Sequence, residues 1–161
     1  MEFAESNDLT FGLELELQIV SRSNGRLSPS SSEFWEILKH QENAARFSLE
    51  ATLATIEMNT SVHCNADAML TETRALAKML TDLAVPMGLV LRGGGTQMTQ
   101  FWNERVVSPT ARAHELTERF GFLPKRFSTY GMHVHIGASC EHNAILIGNA
   151  LQALTPLFIA M

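Results

Sequence analysis

Cysteine and runs of basic residues are both scarce in this chain. Only two cysteines, Cys64 and Cys140, occur among its 161 residues, too few for a disulfide scaffold. They indicate free thiols in a reducing compartment. The 12 lysines and arginines are scattered singly, and the formal net charge is -5. A nucleic-acid-binding face would need a basic stripe, so we expect no nucleic-acid partner.

The first eight residues contain no apolar run. They are acidic instead, so they predict no signal peptide. Together with the free thiols, this leads us to expect a cytoplasmic location.

A long apolar stretch covers residues 144–161. Its length approaches that of a membrane-spanning helix, but Asn149, Gln152 and Pro156 interrupt it. We therefore predict a buried helix and no membrane partner. The stretch has no polar cap, so we expect the rest of a longer domain or a second subunit, as in a homo-oligomer, to cover it.

The bulk composition is that of a globular protein. Hydrophobic residues make up 45% of the chain and charged residues 18%, a balance that excludes a disordered chain. A chain of this length can build one domain with a real core. We therefore predict that residues 1–161 form a single domain.

Hydrophobic periodicity predicts strands that alternate with helices. Apolar and polar residues alternate through residues 9–21, as in a half-buried strand. The other predicted elements are a helix after the Ser28–Glu33 cap region to about His40, a strand over 47–62 with room for an irregularity near Ala54, a helix over 67–85, a strand over 89–91, a helix from Ser108 to Gly121, a strand over 128–138 and a helix from Glu141 onward. This order predicts an α+β fold with helices on one face of a sheet.

Two glutamates share the polar face of the first predicted strand. Glu14 and Glu16 are two residues apart, so their side chains point the same way, about 7 Å apart along the backbone. Such a pair is often only a solvated sheet face. A divalent cation between the two carboxylates would remove their repulsion and make them a metal site.

Two histidines repeat this spacing on the last predicted strand. His133 and His135 lie between Gly131 and Gly137, and the alternation predicts that Met132, Val134 and Ile136 face the core. The histidines are either ordinary polar-face residues or partners in a Mg²⁺ or Mn²⁺ site, although Mg²⁺ prefers carboxylate oxygens.

Glu57 is a lone acid in an apolar stretch. Burial of an acid is costly unless it is paired or metal-bound, so Glu57 is a candidate ligand. Glu50 precedes it by seven residues, and a regular strand would turn Glu50 to the opposite face. Glu50 could join the site only if a bulge intervened.

A glycine run follows the short strand at 89–91. Gly93–Gly95 and Thr96 lack the Lys-Ser/Thr that follows in a phosphate-binding loop, so a flexible turn beside the site is the favoured interpretation. Arg92 could face an anionic substrate or simply solvate an edge of the sheet.

Four motifs, taken in order, resemble the glutamate-cysteine ligase type 2 proteins. The motifs are Phe11-Gly-Leu-Glu-Leu-Glu-Leu17, Glu57-Met-Asn-Thr-Ser-Val62, Gly95-Thr96 ahead of Phe101-Trp102, and Gly131-Met-His-Val-His-Ile-Gly137. The YbdK-like carboxylate-amine ligases are the most similar branch. Glutamine synthetase, a distant relative, has similar Glu-x-Glu and Gly-Met-His-x-His strands.

The resemblance implies a glutamine synthetase-like catalytic domain, in which an antiparallel sheet holds ATP and divalent ions, Mg²⁺ or Mn²⁺. It implies that Glu14, Glu16 and Glu57 bind metal, with Glu50 as a further candidate. It also implies that His133 binds the ion near the γ-phosphate and that His135 contacts metal or phosphate. Arg92 and Thr96 are candidates for substrate contact.

The resemblance further implies an amide-forming reaction. In such enzymes ATP phosphorylates a substrate carboxylate, usually the γ-carboxylate of glutamate, and an amine then displaces phosphate. Family members are more than twice as long as this chain. We therefore expect the chain to be the N-terminal part of the catalytic domain and to hold only part of the active site.

Two other hypotheses stay open on the sequence. A metallohydrolase could use the His-x-His pair with nearby carboxylates, although such enzymes usually place that pair early, on a parallel barrel strand. The chain could also be a non-catalytic fragment or an assembly module, since its C-terminal helix is apolar.

Overall fold

The computed structural model describes residues 3–97, 100–126 and 129–160. The strands are β1 (Phe11–Ser21), β2 (Phe47–Leu49), β3 (Thr55–Asn59), β4 (Leu89–Arg92) and β5 (Met132–Ile136). The α-helices are α1 (Ser31–Leu38), α2 (Ala66–Ala84), α3 (Ala111–Phe120), α4 (Leu123–Arg126) and α5 (Glu141–Ala160). The predicted start of the last strand at Ser128 and the predicted end of the last helix at Met161 lie outside the described residues.

β1 is the central strand of an antiparallel sheet. On one side it pairs with β3, which pairs in turn with β2. On the other side β5 pairs with residues 11–15 of β1 and β4 pairs with residues 18–21, so these two strands lie end to end. The predicted α+β fold with an antiparallel sheet is confirmed.

The segment predicted as one strand over 47–62 is instead a hairpin. β2 ends at Leu49, residues 50–54 form the connection, and β3 begins at Thr55. The chain turns back here because β2 and β3 pair with each other, with Ser48 opposite Glu57. The irregularity expected near Ala54 therefore lies at the end of a turn.

The apolar face of the sheet is covered by α1 and α2. Phe34 and Leu38 of α1 and Leu76 and Leu80 of α2 are buried with the sheet residues Leu17, Ile19, Phe47, Ile56 and Met58. The side chain of Asn65 caps α2 by accepting a hydrogen bond from the backbone N–H of Ala68 at 2.8 Å. The helix predicted over 67–85 is confirmed with nearly these bounds.

Glu72 of α2 ties this helix to the chain that follows β3. Its carboxylate accepts hydrogen bonds from the backbone N–H and the hydroxyl of Ser61, both at 2.8 Å. It also lies 2.6 Å from Nε2 of His63 and 3.8 Å from Nε of Arg46. Partial burial by itself would raise the pKa of Glu72, but the hydrogen bonds from His63 and Ser61 outweigh it and hold that pKa below 4.5.

Replacing Glu72 by glutamine is therefore expected to destabilise the fold in a pH-dependent way. At about pH 7 the free energy of unfolding should fall by about 1–3 kcal/mol, because hydrogen bonds to a charged group are lost. A carboxylate with a lowered pKa contributes stability above the unfolded pKa, and that contribution is lost as pH falls through the folded pKa. The deficit of the variant should therefore shrink as pH is lowered below 4.5.

Urea unfolding of the two proteins across this pH range measures the effect. Glu118→Gln is the matched control, because Glu118 is an exposed glutamate on another helix. A Glu72→Gln deficit that stayed constant with pH would contradict this account.

β5 and α5 are uncovered on their apolar sides. Met132 is 69% exposed and Val134 is 54% exposed, so the prediction that both face a core is wrong for this chain. None of the described residues of α5 is buried, so the predicted buried helix is also wrong here. By length and composition α5 is apolar enough to cross a membrane, a property that core helices of soluble proteins share.

Asp8 holds the start of α5 against the N-terminal segment. Its carboxylate accepts hydrogen bonds from the backbone N–H and the hydroxyl of Ser139 at 2.8 and 2.7 Å, and from the amide of Asn143. The hydrogen bonds from Ser139 are the main reason that the pKa of Asp8 is lowered. The helix is thus fixed at its first turn.

Candidate functional site

Three glutamates converge on the polar face of the sheet, opposite α1 and α2. Glu16, Glu50 and Glu57 each offer a carboxylate oxygen, and these oxygens lie within 4.8 Å of one another. All three residues are half-buried. We call this group the carboxylate cluster.

Strand register explains why the cluster forms. Glu16 of β1 and Glu57 of β3 are direct cross-strand partners, so their side chains leave the same face of the sheet side by side. Glu50 follows the last residue of β2, where the hairpin turn brings it back toward Glu57. The expectation that a continuous strand turns Glu50 away from Glu57 is therefore wrong, because the strand is not continuous.

Each carboxylate of the cluster is oriented by a neighbouring donor. The backbone N–H of Gly131 donates to Oε2 of Glu16 at 2.9 Å, and the backbone N–H of Ala51 donates to Oε2 of Glu50 at 3.1 Å. Two side chains, Ser48 and Asn59, donate to Oε1 of Glu57 at 2.6 and 2.9 Å.

The cluster concentrates negative charge in a half-buried place. Burial raises the pKa of Glu50, and the negative charges of Glu57 and Glu16 raise it further. A divalent cation would neutralise this repulsion. Carboxylate oxygens are the ligands that Mg²⁺ prefers and also suit Mn²⁺, so the donor set fits the metals implied by the sequence motifs.

Glu14 lies outside the carboxylate cluster and is paired with both histidines of β5. Its Oε1 lies 2.7 Å from Nδ1 of His133, and its Oε2 lies 3.2 Å from Nε2 of His135. Glu14 and His133 are direct cross-strand partners. Hydrogen bonding to His133 lowers the pKa of Glu14, and the bond to Glu14 raises the pKa of His133.

A glycine makes room for the ring of His133. A Cβ atom on Gly131 would lie 2.5 Å from Nε2 of His133, so the ring occupies the space that any larger residue would fill. Gly12 is the cross-strand partner of His135 and presents no side chain there. Gly131 thus decides where the ring of His133 lies.

A cavity of about 370 Å³ opens beside His135. Gly12, Asn59, Thr60 and Val62 form much of its wall with the histidine. The cavity therefore lies next to Glu14 and the two histidines of β5, at one end of the polar face.

The two candidates for substrate contact stand apart from the carboxylate cluster. Arg92 is exposed and is the cross-strand partner of Gln18, so it lies on the same face as Glu16. Thr96 is also exposed, and its carbonyl accepts a hydrogen bond from the Gln18 side chain at 3.2 Å. Their contact with substrate stays a prediction, as does each predicted metal ligand.

Sequence reasoning missed Ser48 and Asn59. Asn59 could have been found, because it is two residues beyond Glu57 on the same strand and so shares its face. Ser48 carried no such signal, since its place beside Glu57 depends on the hairpin.

Comparison with known proteins identifies the relatives of the chain. The model of glutamate-cysteine ligase family 2 matches residues 10–161. Proteins named "Putative glutamate--cysteine ligase 2" from Janthinobacterium sp. (strain Marseille) and Herminiimonas arsenicoxydans are each 37% identical over 161 residues. A protein of the same name from Nitrosospira multiformis is 34% identical over 161 residues.

These alignments cover the whole chain but less than half of each relative. The matched region is 44% of the first two proteins and 43% of the third, and it corresponds to their N-terminal portion. The family match spans nearly all of the described strands and helices. The chain therefore belongs to glutamate-cysteine ligase family 2.

Proposed function

We propose that this chain is the metal- and nucleotide-binding part of an ATP-dependent carboxylate-amine ligase. The observation that carries the proposal is the convergence of Glu16, Glu50 and Glu57 within 4.8 Å, in a chain whose family is named for glutamate-cysteine ligation. The carboxylate cluster would hold Mg²⁺ or Mn²⁺. When bound, the ion supplies positive charge to phosphoryl oxygens.

The reaction would proceed in two steps. A substrate carboxylate, such as the γ-carboxylate of glutamate, attacks the γ-phosphorus of ATP, and the bond to the β–γ bridging oxygen breaks to release ADP. An amine then attacks the acyl phosphate, loses a proton and displaces phosphate to leave an amide. Such phosphoryl transfer depends on positioning and on charge neutralisation more than on covalent help from the protein.

Glu14 and the two histidines of β5 would lie at the phosphate end of ATP. His133 and His135 project from β5 on the same face as the carboxylate cluster, and Nδ1 of His133 donates a hydrogen bond to Oε1 of Glu14; as a metal ligand the His133 ring would be neutral. In this proposal His135 contacts phosphate beside the 370 Å³ cavity, while Glu14 orients both rings. His133 would be a ligand of the ion nearest the γ-phosphate.

We further propose that more polypeptide completes the site. The chain spans about 44% of the relatives it matches, and the apolar sides of β5 and α5 are uncovered. The remaining portion of the catalytic domain, or a second subunit in a homo-oligomer, would cover that surface and add groups that hold phosphates and substrate. A cytoplasmic location fits this chemistry.

Trapping with hydroxylamine tests the ligase proposal, because hydroxylamine converts an acyl phosphate into a hydroxamate, which forms a coloured complex with ferric ion. The chain is assayed with Mg-ATP and glutamate, together with the separately produced remaining portion of the Janthinobacterium relative. We expect hydroxamate that requires both ATP and Mg²⁺ and that falls at least about tenfold in His135→Ala, since a charge-stabilising contact is lost. Absence of ATP-dependent hydroxamate, or an unchanged yield in His135→Ala, would contradict the proposal.

A further inference from the structure

We propose that Ser48 and Asn59 are positioning residues that hold Glu57 in the orientation needed to bind a divalent cation. This inference rests on the proposed metal centre at the carboxylate cluster. It concerns residues that the sequence motifs do not assign to the metal, and it explains how a glutamate can be kept facing two others.

The contacts are short and come from two directions. Ser48 is the cross-strand partner of Glu57 on β2, and its hydroxyl donates to Oε1 at 2.6 Å. Asn59 lies two residues along β3 on the same face, and its amide donates to the same oxygen at 2.9 Å. Two donors on one oxygen fix the rotation of the carboxylate about its last side-chain bond and leave Oε2 for another partner.

Glu57 needs this restraint more than the other two glutamates do. Backbone N–H groups orient Glu16 and Glu50, whereas Glu57 accepts from the side chains of Ser48 and Asn59. Glu57 also lies opposite Glu16 in the sheet and close to Glu50. Repulsion between these charges would favour a rotamer turned away from the cluster, and the two hydrogen bonds oppose that rotation.

Asn59 also connects the two parts of the polar face. It is the cross-strand partner of Glu14, which pairs with both histidines, while its amide holds Glu57. A group that orients a metal ligand from outside typically changes metal affinity by about 10–100-fold when it is removed. Ser48 and Asn59 stand in that relation to Glu57.

Titration of the chain with Mn²⁺, followed by the electron paramagnetic resonance signal of free Mn²⁺, tests the inference. Ser48→Ala removes one donor and is expected to raise the Kd about tenfold or more. Ser48→Thr keeps the hydroxyl on a residue well suited to a strand, so it should restore affinity to within about threefold of the natural chain. Asn59→Ala removes the second donor without adding a charge and should also weaken binding about tenfold.

Two measurements separate positioning from a general structural role. Urea unfolding without metal should show similar midpoints for the natural chain and Ser48→Thr, and a decrease for Ser48→Ala too small to account for weaker binding. Ser23→Ala is the matched control, because Ser23 is an exposed serine whose hydroxyl, among the described residues, bonds to that of Ser21. Should Ser48→Ala unfold, Asn59→Ala provides the same comparison.

The outcomes distinguish this inference from the function on which it rests. Full Mn²⁺ affinity in Ser48→Ala or in Asn59→Ala would overturn the positioning role and leave the metal centre in place. Equal losses in Ser48→Ala and Ser48→Thr would also overturn it, because the hydroxyl would then be irrelevant. A natural chain that folds but binds no Mn²⁺ would overturn the proposed metal centre itself.

Discussion

Replacing Glu16 by glutamine is expected to weaken Mn²⁺ binding by about 100-fold or more, a larger loss than removal of an outer orienting group causes. Glu16 is the member of the carboxylate cluster on the central strand, where it faces Glu57 directly. The substitution keeps the size of the side chain and removes its charge. Affinity for a divalent ion depends on both the number of oxygen ligands and their charge.

The local geometry makes glutamine worse than a simple loss of charge. The backbone N–H of Gly131 donates to Oε2 of Glu16 at 2.9 Å, and in the variant this donor will select the amide oxygen. The amide nitrogen then takes the position of the other oxygen. An amide N–H group is a donor with no lone pair for a cation, so only one oxygen of this side chain is left.

Without metal, the stability of Glu16→Gln should not fall as its Mn²⁺ affinity does. Glu16→Gln removes one of three neighbouring acidic groups, so the urea midpoint without metal should stay level or rise. Mn²⁺ titration and urea unfolding of the same variant give both readings. Glu118→Gln, an exposed helix position, is the control, and a Glu16→Gln protein that bound Mn²⁺ as well as this control would refute the metal centre.

Much of the candidate site was predictable because strand periodicity is a local property. The alternation in β1 correctly placed Glu14 and Glu16 on one face, and the alternation in β5 did the same for His133 and His135. Both patterns depend only on the period of two along an extended chain. The four family motifs, taken in order, then indicate which strands contribute to the candidate site.

The part that could not be predicted depends on pairing between segments. The hairpin from β2 to β3 turns through Glu50-Ala-Thr-Leu-Ala54, which contains no glycine, proline or asparagine to mark a turn. The alternation therefore predicts one continuous strand, and such a strand puts the side chain of Glu50 on the wrong face. The same error concealed Ser48, whose neighbour Glu57 is set by the register of the hairpin.

The prediction that β5 and α5 are buried is wrong for a different reason. An apolar pattern shows that a surface is suited to burial, but it does not show that the covering group belongs to the same stretch of chain. Met132 and Val134 alternate correctly with the histidines and are still exposed. Exposed apolar residues of this kind are what the proposed further polypeptide would cover.

Replacing Phe34 by alanine is expected to lower the free energy of unfolding by about 3–5 kcal/mol, the loss typical of a buried phenylalanine. Phe34 is fully buried, at 0% exposure, in the core between α1 and the sheet. Its removal leaves a cavity under the strands that carry the carboxylate cluster. The total free energy of unfolding of a small domain is only about 5–15 kcal/mol, so this loss is a large share of the stability of the chain.

Urea unfolding measures this effect, and Phe101→Ala is its matched control. Phe101 is 77% exposed, so its replacement should change the unfolding free energy by no more than about 0.5 kcal/mol. Phe34→Leu keeps most of the volume and should lie between the two, which keeps the test informative if Phe34→Ala does not fold. Equal midpoints for Phe34→Leu and the natural chain, or equal losses for Phe34→Ala and Phe101→Ala, would contradict the assigned core. At urea concentrations below its unfolding midpoint, Phe34→Leu should bind Mn²⁺ with unchanged affinity. Glu16→Gln should instead keep its stability and lose the ion, because the core and the carboxylate cluster lie on opposite faces of one sheet.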